Sequence, residues 1–187
     1  MKHILILPAV IAALAVSCRP AAQNPVDYID PFIGTGFHGH TYPGATTPFG
    51  AVQLSPDNHR EAWDACSGYH YDRDAIIGFS HTHLSGTGCA DLGDILFHPT
   101  SHDVDLSLEG DIYEHLKFSH EDEVAAPGYY SVYFKDEKLK AELTATTHTG
   151  WHRYTFCEGM PHHIVVDMAH VISVSGDFVR EVEIRQT

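Results

Sequence analysis

Apolar and polar side chains alternate with a period of two in a series of short runs from residue 51 onward, and no stretch repeats its apolar positions convincingly at helical spacing. Successive residues of an extended chain point to opposite faces, so these runs predict strands. They cover 51–54, 68–71, 75–83, 95–98, 129–135, 139–147, 151–156, 163–168 and 178–184. Within 139–147, Leu139, Ala141, Leu143 and Ala145 share one parity while Lys140, Glu142, Thr144 and Thr146 take the other, which predicts one buried and one wet face. Residues 129–134 are apolar or aromatic on both parities, as in a strand packed on both sides, and Trp151 is assigned to the core. Turn chemistry separates the runs at 126–128, 135–138, 158–161 and 175–177. Many short strands divided in this way predict an all-β domain, a β-sandwich rather than a small barrel. The last run reaches almost to Thr187 with no closing turn, and is read as a domain that stops early.

The N-terminal residues are patterned differently. Lys2 precedes an apolar stretch, 4–16, broken by Pro8. It is shorter than the roughly 20 residues a membrane-spanning helix needs. With Ala15-Val16-Ser17 leading into Cys18, residues 1–17 read as a signal peptide of lipoprotein type, with Cys18 lipidated and 18–26 a tether to a domain at 27–187. A plain cleaved signal and a buried N-terminal helix are the alternatives. Export would leave Cys66, Cys89 and Cys157 in a disulfide-permissive compartment, where an odd number of thiols cannot all pair within one chain.

A content of 43% hydrophobic and 19% charged side chains is too apolar for a disordered segment, and 187 residues suffice for one domain with its own core. The formal charge of −14 argues against a nucleic-acid partner, because a phosphate groove needs clustered cations. Histidine is the odd component, with 16 copies. Half-protonation of all of them would bring the charge to about −6, so surface charge should depend strongly on pH.

Candidate chemistry concentrates in two places. Residues 34–50 (Gly34-Thr35-Gly36-Phe37-His38-Gly39-His40 through Gly50) hold little apolar volume and many Gly and Pro, so they must form a loop, and the His and aromatic residues among the glycines favour an ordered one. No Gly-Lys-Ser/Thr follows, which argues against a phosphate cradle. The second place runs from Gly78 to Asp94. On a strand, His81 and His83 would share a face, and His38 and His40 form a second such pair; a metal site would need the two pairs to meet. Packed histidines or sugar hydrogen bonds are the other readings. Trp63 lies among polar and small residues, where its flat face suits the C–H face of a sugar ring. No Gly-x-Ser-x-Gly elbow and no isolated pair of carboxylates stands out.

Five ordered segments carry a resemblance to a known family: 27–36, 43–57, 78–88, 128–132 and 141–146 with 152–156. Among them are Asp30-Pro31-Phe32-Ile33-Gly34-Thr35-Gly36, Thr47-Pro48-Phe49-Gly50 and Gly78-Phe79-Ser80-His81-Thr82-His83-Leu84-Ser85-Gly86. Together they resemble the N-terminal domain of glycoside hydrolase family 92. The resemblance implies a β-sandwich that packs on an (α/α)6 barrel in a Ca2+-dependent, inverting exo-α-mannosidase acting on α-mannoside glycans, in an exported, periplasmic or surface lipoprotein of a Bacteroides-like bacterium. It implies substrate contacts from Gly36, Phe37, His38, Trp63, Cys66 and Asp91.

The family's catalytic carboxylates and most of its calcium ligands belong to the helical domain. No catalytic residue is therefore expected among these 187, membrane contact is expected only through a lipid anchor, and the chain alone is expected to be inactive. The rival readings are a free-standing carbohydrate-binding module and a small metal-binding β protein using His38, His40, His81 and His83.

Overall fold

The computed structural model describes residues 24–58, 63–104, 116–173, 179 and 181–185. The expected signal peptide, Cys18 and most of the tether lie outside the described residues. Among the described residues eleven strands form: β1 (Ala45–Thr46), β2 (Gln53–Asp57), β3 (Ala75–Ile76), β4 (Gly78–Ser80), β5 (Leu96–Thr100), β6 (Leu116–Lys117), β7 (Glu123–Ala126), β8 (Tyr129–Phe134), β9 (Leu139–Ala145), β10 (Gly150–Phe156) and β11 (His163–Asp167). No α-helix occurs among the described residues, only short 3-10 turns such as Trp63–Ala65.

Two sheets pack face to face. One has the order β1-β2-β4-β5-β11 and the other the order β10-β9-β8-β7, with β3-β6 as a small separate ribbon. The four-stranded sheet is a meander whose turns follow from local chemistry. Pro127-Gly128 closes β7 onto β8, with Gly128 at φ +76° where a side chain would be strained. Residues 135–138 close β8 onto β9, with Lys138 at φ +49°.

The main core cluster lies between these sheets: Leu54 and Phe79 from the first, Tyr130, Val132, Phe134, Leu139, Ala141 and Leu143 from the second; Ile77 and Leu96 form a small second cluster. The Phe79 ring meets Tyr130, Phe134 and Tyr154 at 6.5, 6.4 and 6.0 Å between centroids, a range in which aromatic pairs attract beyond simple area burial. The alternation expected along β9 is present: its Leu and Ala positions turn inward, while Lys140 and Thr144 are exposed.

Five expectations need correction. Residues 68–71 are not a strand. The Asn58 side chain donates to the Ala75 carbonyl and accepts from the His70 N–H, and Gly68 takes φ +87°, so this backbone is satisfied by a side chain instead of a ladder. The run 75–83 is not one strand either. It changes partner at Ile77, whose N–H donates to the Asp57 carbonyl; β3 pairs with β6, and β4 pairs with β2 and β5. The described part of 178–184 is not in a strand.

Trp151 is not core. It is 61% exposed, because Tyr154 and Phe156 are the β10 residues packed against the cluster and Trp151 lies on the opposite parity with Arg153. For the same reason Tyr133 on β8 is exposed, and that strand is not packed evenly on both sides.

Candidate functional site

The loop 34–50 is held by close backbone approach. A Cβ on Gly39 would lie 2.1 Å from the Gly34 carbonyl oxygen, so no other residue fits that crossing. Neighbouring segments pin the loop. Tyr71 N–H donates to Thr35 O at 2.9 Å, the His70 ring donates to Phe37 O at 3.0 Å, Ser67 Oγ donates to Thr41 O at 3.0 Å, and Gly86 N–H donates to His40 O at 2.6 Å. Phe37 and His40 sit at φ +51° and +55°. Left-handed conformations of this kind cost of order 1–2 kcal/mol for a side-chain-bearing residue and persist where the surroundings impose them.

The pinning gathers rings around one carboxylate. Phe37 and His38 lie 4.0 Å apart between centroids, His38 and Trp63 5.2 Å, and His40 meets Trp63 edge-on at 4.4 Å. The Trp63 indole N–H donates to Gly88 O at 3.0 Å, which fixes the ring at the end of its short 3-10 turn. Phe37 and Trp63 remain 77% and 52% exposed. His38 Nδ1 lies 2.6 Å from Asp64 Oδ1, and this hydrogen bond holds the Asp64 carboxyl below its ordinary value. An aromatic wall with a carboxylate and imidazole at its foot can stack on a sugar ring and hydrogen-bond its hydroxyls.

Of the residues expected at the site, Phe37, His38 and Trp63 converge, with Gly36 in the same loop. Cys66 lies beneath: its N–H donates to Trp63 O, it is buried, and burial pushes its thiol up. Cys66, Cys89 and Cys157 are all free thiols. Asp91 is exposed, and its carboxylate accepts from the Leu92 N–H instead of from a residue of the cluster.

The four-histidine metal site is corrected. His38 and His40 meet Asp64, whereas His81 and His83 go elsewhere and apart, because β4 ends at Ser80 and the chain bends at His81. His81 Nε2 lies 3.2 Å from His152 Nε2, while His83 is buried on Asp57. Sequence reasoning does not single out Asp64, whose one visible signal is its position next to Trp63.

Two buried carboxylates hold the scaffold behind the site. Asp57 on β2 accepts from Ser80 Oγ (2.6 Å), His83 Nε2 (2.7 Å) and His170 Nε2 (2.8 Å). Burial works to raise its pKa, and the two histidines outweigh that and hold it well below the carboxylate range. Glu123 on β7 accepts from Tyr69 (3.0 Å), Tyr130 (2.6 Å) and His120 (2.8 Å), which ties the 66–71 segment to the four-stranded sheet. Both groups are interior, so they position the loop segments instead of meeting a ligand.

Residues 28–187 match the glycosyl hydrolase family 92 N-terminal domain. The chain belongs to this family, as its N-terminal domain.

The family GH92 α-mannosidase BT3965 from Bacteroides thetaiotaomicron, solved in complex with mannoimidazole, is 42% identical with a TM-score of 0.76, over 81% of this chain and 20% of that one. The gh92 family glycosyl hydrolase ccman5 is 32% identical with a TM-score of 0.69, over 79% of this chain and 21% of that one. A protein of Arthroderma benhamiae named an uncharacterized secreted glycosidase is 29% identical over 169 residues, 83% of this chain and 20% of its own length. The chain thus spans about a fifth of the relatives it matches.

Proposed function

We propose that this chain forms one wall of the terminal-sugar pocket of an exported, inverting exo-α-mannosidase acting on α-mannoside glycans. The observation that carries the reading is the convergence of Phe37, His38 and Trp63 on one exposed face, held by a loop whose backbone no ordinary substitution would tolerate. Trp63 and Phe37 supply the apolar platform, and His38, oriented by Asp64, supplies a hydrogen-bonding edge. Gly36 lies in the same loop and buried Cys66 is tied to Trp63 through its N–H; with Asp91 they are the further contacts proposed for the sugar.

Inversion needs two carboxyl groups about 6.5–9.5 Å apart, one protonating the leaving oxygen and one activating water. Asp64 is committed to His38 and has no partner carboxylate in the cluster among the described residues, so both proton-handling groups are assigned to the helical domain of the family. Calcium prefers six to eight oxygen ligands, and the cluster's two imidazoles and one carboxylate do not fit that preference. Its ligands are assigned outside this chain, and no step is routed through it.

The experiment is mannose release from an α-mannobiose panel with calcium present. The chain by itself is expected to release none. Joined to the family's helical domain, Trp63→Ala and His38→Ala are each expected to lower kcat/KM at least tenfold, while Trp151→Ala leaves it unchanged. Turnover by the chain alone, or full activity of Trp63→Ala, overturns the reading. Lipidation at Cys18 belongs to the same proposal and is tested by loss of labelled palmitate incorporation in Cys18→Ala.

A further inference from the structure

We propose that His38, His40 and Asp64 form a binding site for a borderline divalent cation of the Zn2+ type. Their ligand atoms all lie within 4.8 Å of one another. His38 Nδ1 stands 2.6 Å and His40 Nε2 3.9 Å from the same Asp64 oxygen. Zinc bonds of about 2.0–2.2 Å in tetrahedral geometry place neighbouring donors about 3.3 Å apart. One contact therefore opens and the other closes by well under an ångström, which is within side-chain reach.

His40 supplies the independent observation. It is 7% exposed, yet its Nε2 has no hydrogen-bond partner. A buried polar atom left unmatched carries a desolvation cost that a metal bond would remove. The ring is also fixed in place: it stands edge-on to Trp63, an added Cβ on Gly88 would come 3.2 Å from its Nδ1, and its carbonyl accepts from Gly86. His38 and Asp64 are half-exposed, so the fourth position faces solvent, as in an open zinc site. Two imidazoles and one carboxylate select zinc, copper or nickel over calcium, which seeks oxygen.

A second pair of imidazoles serves as the contrast. His81 and His152 approach to 3.2 Å, but their Nδ1 atoms face Ile95 O and Tyr154 OH, and no carboxylate completes a three-ligand group there among the described residues. The inference does not rest on the sugar-pocket reading, and its test measures metal, not turnover.

The full chain, stripped with chelator and dialysed, is titrated with Zn2+ against a chromophoric chelator. One ion per chain is expected, with at least tenfold weaker binding in Asp64→Asn and in His38→Ala and no change in His152→Gln. Co2+ should give the intense visible bands of a tetrahedral site, lost in Asp64→Asn while the metal-free melting temperature stays the same. Absence of stoichiometric binding, wild-type affinity in Asp64→Asn and His38→Ala, or displacement by millimolar Ca2+ overturns the proposal.

Discussion

Three separate segments converge on the Asp57 carboxylate: Ser80 at the end of β4, His83 beyond the bend, and His170 after β11. Removing one member of a buried charged group leaves the others unmatched, at a cost of about 3–5 kcal/mol. Asp57→Asn is therefore expected to lower unfolding free energy by about that much at pH 7, measured by urea denaturation. Because the folded pKa lies well below the unfolded value of about 3.9, the stabilisation is complete above that value. It is lost as pH falls further through the folded value, so the gap between wild type and Asp57→Asn should narrow in acid.

His152 behaves differently. Burial, then the neighbouring His81, pushes its pKa down to about 4. Between an unfolded value of about 6.5 and the folded value, the unfolded chain takes up a proton that the folded chain refuses, so stability falls as pH drops through that window. A loss on the order of 2–3 kcal/mol is expected from this group, and His152→Gln should flatten the dependence of melting temperature on pH between about 7 and 4.

At the scale of elements, the 34–50 loop is held by a backbone crossing that tolerates no side chain. In Gly39→Ala the new methyl would meet the Gly34 backbone, which has no rotamer to escape into. A destabilisation of about 1–3 kcal/mol is expected, of the size typical of overpacking, together with a blue-to-red change in Trp63 fluorescence as the ring is released. Thermal melts followed at 280 nm excitation check both, with Trp63→Phe separating this signal from Trp151.

The loop and the strands β8, β9 and β10 were legible in the sequence for one reason: each is dictated by short-range chemistry, glycine conformations in the first case and period-two patterning in the others. Trp151 shows that parity outranks residue type, since it shares the exposed face with Arg153, which forms a two-pronged contact with Glu142. The ends of 75–83 were not legible, because the switch of partners at Ile77 depends on Asp57 and Leu116, which lie far away in the chain. Asp64 and the parting of His81 from His83 were hidden likewise: both arise from tertiary contacts that no spacing encodes.

At the scale of the whole molecule, β11 raises a question of coverage. It pairs with β5 along one side, and Val165 packs toward Ile77 and Leu96, while Ile164 and Val166 point the other way and stay exposed. Val182 and Ile184 join them around an open groove of about 900 Å³. A strand that is apolar on both faces and stands at the edge of its sheet offers both greasy surface and a backbone template, the two ingredients of association. The family relatives are about four times as long, so a neighbouring domain is the natural cover for such a face in a longer polypeptide. These 187 residues by themselves should then self-associate as concentration rises. Ile164→Lys with Val166→Lys should reduce light scattering and dye binding to exposed apolar surface, without lowering the melting temperature, because neither side chain belongs to the core clusters. A double variant that scatters as much as wild type would place the association elsewhere, with the Trp151 face of the other sheet as the next surface to substitute.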